Sequence, residues 1–137
     1  TALRKQIEQL MKEKVKQVKA SLKISAIKID NSTIIAQRVE LDSADAIKDL
    51  AYQLRNEIDN LFLVLGADIS GKPLLTIMIS DSLVETKKAN ASNIIREVAK
   101  EIQGGGGGQP YFATAGGKDS SGIEVALKKA VNIFEQL

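Results

Sequence analysis

Five consecutive glycines, Gly104 to Gly108, and a second pair, Gly116-Gly117, put seven of the ten glycines of a 137-residue chain within fourteen positions. A backbone without Cβ can take φ > 0 and lets a ligand come close to the main chain. Successive free N–H groups can then form an anion-binding concavity. Two readings stay open: a surface linker, or a phosphate-binding loop. In the second, Gly105, Gly106, Gly107 and Gly108 form a tight loop whose N–H groups face the anion. Lys118 follows Gly116-Gly117 and precedes a helical pattern, where free N–H groups and the helix dipole favour anions. Lys88, beside Lys87, is either a phosphate contact or one of a solvated pair. Tyr111 and Phe112 adjoin the glycines; both can pack in a core, or one can stack on a base or ribose. Asp42, Asp45 and Asp49 could share a helix face suited to a hard cation. A cap followed by a solvated acidic first turn is the reading we adopt for them.

The rest of the composition narrows the chemistry. There is no cysteine and no histidine. Thiolate and imidazole metal sites, Cys or Ser–His nucleophiles and histidine general bases are therefore excluded. Neither catalytic nor metal-ligating residues are expected in this chain. No run of about 18 apolar residues is present to span a membrane. Net charge is +2, unevenly spread. Residues 1–28 carry eight Lys/Arg against two Glu, a local +6; residues 29–137 carry eleven against fifteen Asp/Glu, or −4. Lys12, Lys16 and Lys19 thus form either a solvated helix face or a basic handle for an anionic partner such as RNA.

The elements that position these residues follow from periodicity. Leu3, Ile7, Leu10, Met11, Val15, Val18 and Leu22 mark a helix over 2–22, with most of its lysines elsewhere. Its apolar stripe can pack on the globular body or pair with another chain. Residues 24–29 alternate as a strand, Asp30-Asn31-Ser32 turns, and 33–41 returns. Asp42 or Ser43 caps a helix over about 43–58. Residues 61–66 and 73–79 read as strands covered on both faces, joined by a Ser70-Gly71 turn. Ser82 and Glu85 have capping-box spacing for a short helical piece, and a helix runs from about 91 to 102. Residues 111–115 are a strand. Asp119 or Ser121 caps the last helix, Ser121 and Glu124 again having capping-box spacing. The expected fold is α/β: a mixed sheet of about five strands flanked by helices, preceded by a projecting N-terminal helix.

One combined pattern goes further. It comprises Lys88-Ala89-Asn90, Ile94-Ile95-Arg96-Glu97-Val98-Ala99, Gly104 to Gly108, Pro110, Ala113-Thr114-Ala115-Gly116-Gly117 and Asp119. It resembles the C-terminal domain of alanyl-tRNA synthetases, which is shared with DHH-type phosphoesterases, including the RecJ-like exonucleases. The resemblance is sequence-deep over roughly residues 60–137 and architectural before that. The family usually has arginine or histidine before the proline, where this chain has Gln109, and often an acidic residue near Tyr111-Phe112.

The resemblance implies residues 1–22 as the end of a helical connector and 23–137 as the glycine-rich globule. It implies a piece of a longer cytoplasmic protein, in keeping with a first residue, Thr1, that is not Met. It further implies contact with the elbow of tRNA(Ala), support of aminoacylation and editing by upstream domains of the same chain, and in some members oligomerisation. No cofactor is expected here; ATP and zinc belong to the parent protein. With RNA as the partner, the candidate RNA-binding residues are Gly105, Gly106, Gly107, Gly108, Gln109, Lys118, Lys88, Lys12, Lys16 and Lys19. The alternative is the substrate-binding domain of a DHH-type phosphoesterase.

Overall fold

The computed structural model describes residues 2–137. The first helix, α1 (Ala2–Ser25), is followed by β1 (Ile27–Ile29), β2 (Ser32–Arg38), α2 (Ala44–Glu57), β3 (Leu61–Ile69) and β4 (Lys72–Ile79). Then come α3 (Asp81–Thr86), α4 (Ala91–Val98) with a 3-10 extension (Ala99–Ile102), β5 (Gly105–Gly108), β6 (Phe112–Gly116), a 3-10 turn (Ser120–Gly122) and α5 (Ile123–Glu135). The sheet has six strands in the order β1-β2-β3-β4-β6-β5. Only β2 and β3 pair in parallel, joined by the α2 crossover; the other neighbours are antiparallel.

Alternation along the strands builds two cores. Phe62, Val64, Leu75, Ile77, Ala113 and Ala115 face α4 and α5. Leu61, Leu63, Leu65, Ile35 and Met78 face α2 and the second half of α1. The rings of Phe62 and Phe134 stack with centroids 4.3 Å apart and fasten α5 to β3. Val15, Val18 and Leu22 seat α1, while Leu3 and Leu10 stand 68% and 66% exposed. Lys19 and Lys23 reach across from α1 to Glu57 of α2.

Four expectations are corrected. The helical period of α1 persists to Ser25, where Ser25 Oγ donates to the Leu22 carbonyl, so the first strand keeps only Ile27–Ile29. Ser80, not Ser82, occupies the N-cap of α3; the Ser82 hydroxyl bonds Asn60 Oδ1 instead, and no capping box forms. Asp119 Oδ1 accepts from the Ser121 N–H, capping a 3-10 turn, and α5 then starts from Gly122 without a side-chain cap. The sheet has six strands rather than about five, because Gly105–Gly108 is itself a strand.

Two measurements check this account. Phe62→Ala removes one ring of the stack and leaves a cavity, so urea or guanidinium melts should lose about 3–5 kcal/mol. Leu3→Ala, at an exposed site, should stay within about 0.5 kcal/mol. Hydrogen bonds from Lys19 and then Lys23 hold the Glu57 carboxyl below the usual carboxylate range. A depressed folded-state pKa contributes stability that is present above the unfolded value of about 4.3 and is lost as pH falls through the lower folded one. Glu57→Gln should therefore flatten the acid limb of a stability-against-pH curve below about pH 5. An unchanged limb would assign the pairing to solvent-screened contact alone.

Candidate nucleic-acid interface

The 3-10 extension of α4 ends at Gln103, which takes the left-handed conformation (φ 52°, ψ 48°) and turns the chain back. Gly104 N–H donates to the Ala99 carbonyl (3.0 Å), and the chain enters β5. At the far end Gln109 and Phe112 exchange both backbone bonds, Gln109 N–H to Phe112 C=O at 2.7 Å and the reverse at 3.3 Å. Pro110-Tyr111 is thus a two-residue hairpin turn. Ala91 N–H, at the start of α4, donates to the Pro110 carbonyl (2.8 Å) and pins the helix to this turn.

Antiparallel strands alternate bonded and non-bonded pairs. Counting from Gln109–Phe112, the bonded pairs are Gly107–Thr114 and Gly105–Gly116, which are opposite in register. The N–H and C=O groups of Gly106 and Gly108 then point away from β6, along the outer edge of the sheet. The steric constraints agree. A Cβ on Gly104, Gly106 or Gly108 would lie 1.9, 2.1 or 2.4 Å from the carbonyl oxygen of Gly116, Thr114 or Phe112. At Gly105 it would meet nothing within 4 Å, and at Gly107 only Ser92 Oγ at 3.7 Å. Alternate glycines are therefore required by the close approach of β6, and the others leave the strand bare. The tight loop with φ > 0 expected for Gly105 to Gly108 is not what forms. Among the described residues the one glycine with positive φ is Gly71. A sheet neighbour takes up half of the N–H groups, so the surface on offer is an edge and not a concavity.

The candidate side chains divide among three places. Lys118 is exposed at the Gly105 end of the hairpin, but its own N–H and that of Asp119 donate to the Ile102 carbonyl (2.9 and 3.0 Å). With α5 starting only at Ile123, Lys118 offers its ammonium and no free helix N-terminus. Gln109 and Lys88 are exposed at the other end, Lys88 lying three residues before Ala91. Lys12 and Lys16 are exposed on α1, whereas Lys19 is committed to Glu57 and to Gln53 Oε1 (3.3 Å). α1 sits beside β2, four strand steps from β5. At about 4.8 Å a step that is about 19 Å, so the α1 lysines and the glycine edge are separate surfaces.

Nearby groups are occupied in packing. The Phe112 ring lies 5.6 Å from that of Tyr52 in the α2-side core, and Arg55 covers one face of Tyr111 at 5.2 Å. The ammonium of Lys87 rests 5.7 Å from the Phe134 ring centroid. No group of acidic residues able to hold a metal occurs among the described residues, and Ser43 Oγ, accepting from Ala46 N–H (3.3 Å), caps α2 in the acidic stretch. One basic residue of this surface was not singled out from the sequence as a binding residue: Arg96, exposed on α4 one turn after Ser92. The signal was present in the i, i+4 spacing, but it needs β5 as a reference.

The alternation within β5 makes a stability test. Gly106→Ala drives a methyl group into the Thr114 carbonyl and should cost about 1–3 kcal/mol or more in a chemical melt. Gly105→Ala should remain within about 0.5 kcal/mol. Equal destabilisation by the two would mean that β5 does not lie this close to β6.

The family model for the DHHA1 domain matches residues 31–136. Similar proteins include the alanine–tRNA ligases of Christiangramia forsetii (52% identical over 133 residues, 97% of this chain), Cytophaga hutchinsonii (44% over 133 residues, 97%) and Acetivibrio thermocellus (37% over 134 residues, 98%). In each case the chain spans 15% of the relative's length. Among solved structures, the C-Ala domain from Aquifex aeolicus alanyl-tRNA synthetase superposes with a TM-score of 0.63 at 23% identity, over 77% of this chain and 97% of that one. The DHH domain of a member of the s1p family of ribosomal proteins gives 0.58 at 10% identity, over 88% and 30%. These two likenesses establish the fold. With the family model covering all but the first helix and strand, the chain belongs to the DHHA1 domain family.

Proposed function

We propose that this domain binds the tRNA of an alanine–tRNA ligase, contacting the tRNA(Ala) elbow and supporting aminoacylation and editing carried out by upstream domains of the same cytoplasmic protein. ATP and zinc belong to those domains. The observation that carries the reading is the bare edge of β5 beside exposed Lys88 and Lys118. A folded RNA offers phosphates and 2′-hydroxyls, and backbone or shape readout suits it. A strand without side chains lets such a surface approach the main chain. Lys12 and Lys16 add sequence-independent attraction from a second surface. The sequence relatives described above are alanine–tRNA ligases, which favours this reading over a phosphoesterase substrate domain. The exposed Leu3, Ile7, Leu10 and Met11 stripe supports self-association through α1, to be read as mass by light scattering.

A titration of the domain with tRNA(Ala) against an unrelated single-stranded DNA tests the function. Preferential tRNA binding is expected; equal affinities would overturn the reading. Lys12→Gln with Lys16→Gln should lower the log–log salt slope by about 0.7–0.9 for each phosphate that is no longer neutralised. Lys118→Ala should cost on the order of 1 kcal/mol of binding. Gln109→Arg should leave affinity equal or raise it.

A further inference from the structure

α4 lies along the glycine hairpin, and its register says which side chain overhangs the outer edge. Lys129 of α5 contacts the Glu97 carbonyl and the Glu101 carboxylate, so that flank of the helix faces α5. Ile95, Val98 and Ala99 point into the core. Ser92 is on the flank toward β5, its Oγ 3.7 Å from the position of a Cβ on Gly107. At 3.6 residues per turn, Arg96 stands about 40° further round than Ser92, on the solvent side. It therefore overhangs the edge where Gly106 and Gly108 turn their N–H and C=O groups outward. Arg96 is exposed and makes no ion pair among the described residues, whereas Lys100 on the next turn is held by Glu97 (3.3 Å).

We infer that Arg96 and the outer edge of β5 together grip the sugar–phosphate backbone of the RNA: the guanidinium and the Gly106 and Gly108 N–H groups take phosphate oxygens, and the carbonyls of the same two glycines accept from ribose 2′-hydroxyls. The inference rests on the tRNA-binding reading and deepens it. Outward groups recur every second residue, about 6.7 Å apart, a step of the same order as one nucleotide of an extended strand. A guanidinium presents paired donors matched to phosphate, and it keeps its charge at any working pH. Donor and acceptor on one residue match a nucleotide that carries both a phosphate and a 2′-hydroxyl, the group that separates RNA from DNA. An added polypeptide strand would also satisfy this edge, but the unpaired cation above it favours a polyanion.

The test uses the parent chain, Arg96→Gln, Arg96→Lys and, as a control on the outer face of α5, Lys128→Gln. Each is titrated with tRNA(Ala) over a range of salt. Arg96→Gln should weaken binding about five- to tenfold and lower the salt slope by about 0.7–0.9. Arg96→Lys should restore the slope but not the full affinity, since an ammonium lacks the paired geometry. Lys128→Gln should change neither. In 15N-labelled protein, tRNA should shift the Gly106 and Gly108 amides more than those of Gly105 and Gly107, which are already bonded to β6.

If the parent prefers tRNA but Arg96→Gln keeps its slope and the two amides stay still, the grip is wrong and tRNA binding survives. If the parent shows no preference for tRNA over DNA, the function and the grip fall together. If the Gly106 and Gly108 amides are instead protected without RNA, and a dimer mass appears, the edge pairs with a second copy and the inference is overturned.

Discussion

Strands β3 and β4 are covered on both faces, and the position of every helix follows from that requirement. From Leu61 to Ala67 and from Leu75 to Ile79 nearly every side chain is out of water. Such strands cannot be stable under one layer of helix, so α2 with the root of α1 closes one side and α4 with α5 the other. Backbone satisfaction is then easy in the middle of the sheet and difficult at its rims. Toward β5 the covering thins: β6 buries only Ala113 and Ala115 on the α4 side, and the next strand has no side chains to bury. A bare edge is thus the natural end of a sheet whose apolar residues are concentrated at its centre.

Much of this order was legible in the residues, and the exceptions have physical causes. Continuous apolar runs at 61–66 and 73–79, and the helical stripes of α2, α4 and α5, announce themselves because burial on one or both faces leaves a period in the sequence. Glycine carries no side chain and so no period. Gly105–Gly108 is invisible as a strand by propensity, and its hairpin is betrayed only by the spacing of Gln109 and Phe112 around Pro110-Tyr111. The two capping-box spacings misled because each hydroxyl found another partner, Ser82 the distant Asn60 and Ser121 its neighbour Asp119. Family membership was legible because it rests on the whole ordered pattern rather than on any element. The placement of the candidate residues was legible in part. Lys118 was placed beside the glycines by sequence alone and Lys88 was named only as a possible phosphate contact, and their opposition at the two ends of one hairpin depends on a strand that was not foreseen. The separation of Lys12 and Lys16 from that hairpin depends on strand order, which no local pattern carries.

The edge strand also bears on how such a surface stays open. Exposed strand edges invite pairing with other chains and are usually guarded by charge, proline or a cover. Here Pro110 closes one end of the hairpin, Gln103 leaves its helix in a left-handed conformation at the other, and the helix that packs beside β5 carries the exposed Arg96. The residues that fit a ligand reading thus also serve to discourage strand addition.

The half-seated helix α1 acts as a lever. About 13 residues, close to 20 Å, extend beyond the part that packs on the body. At that length a tilt of 10° at the root displaces the tip by roughly 3 Å. The root combines a small apolar contact, Leu22 with Val15 and Val18, with the two lysines that straddle Glu57. Salt leaves the first nearly untouched and screens the second. The stiffness with which this arm holds its angle is therefore set partly by ionic strength, and the direction in which the globule points becomes a property of the medium as well as of the fold.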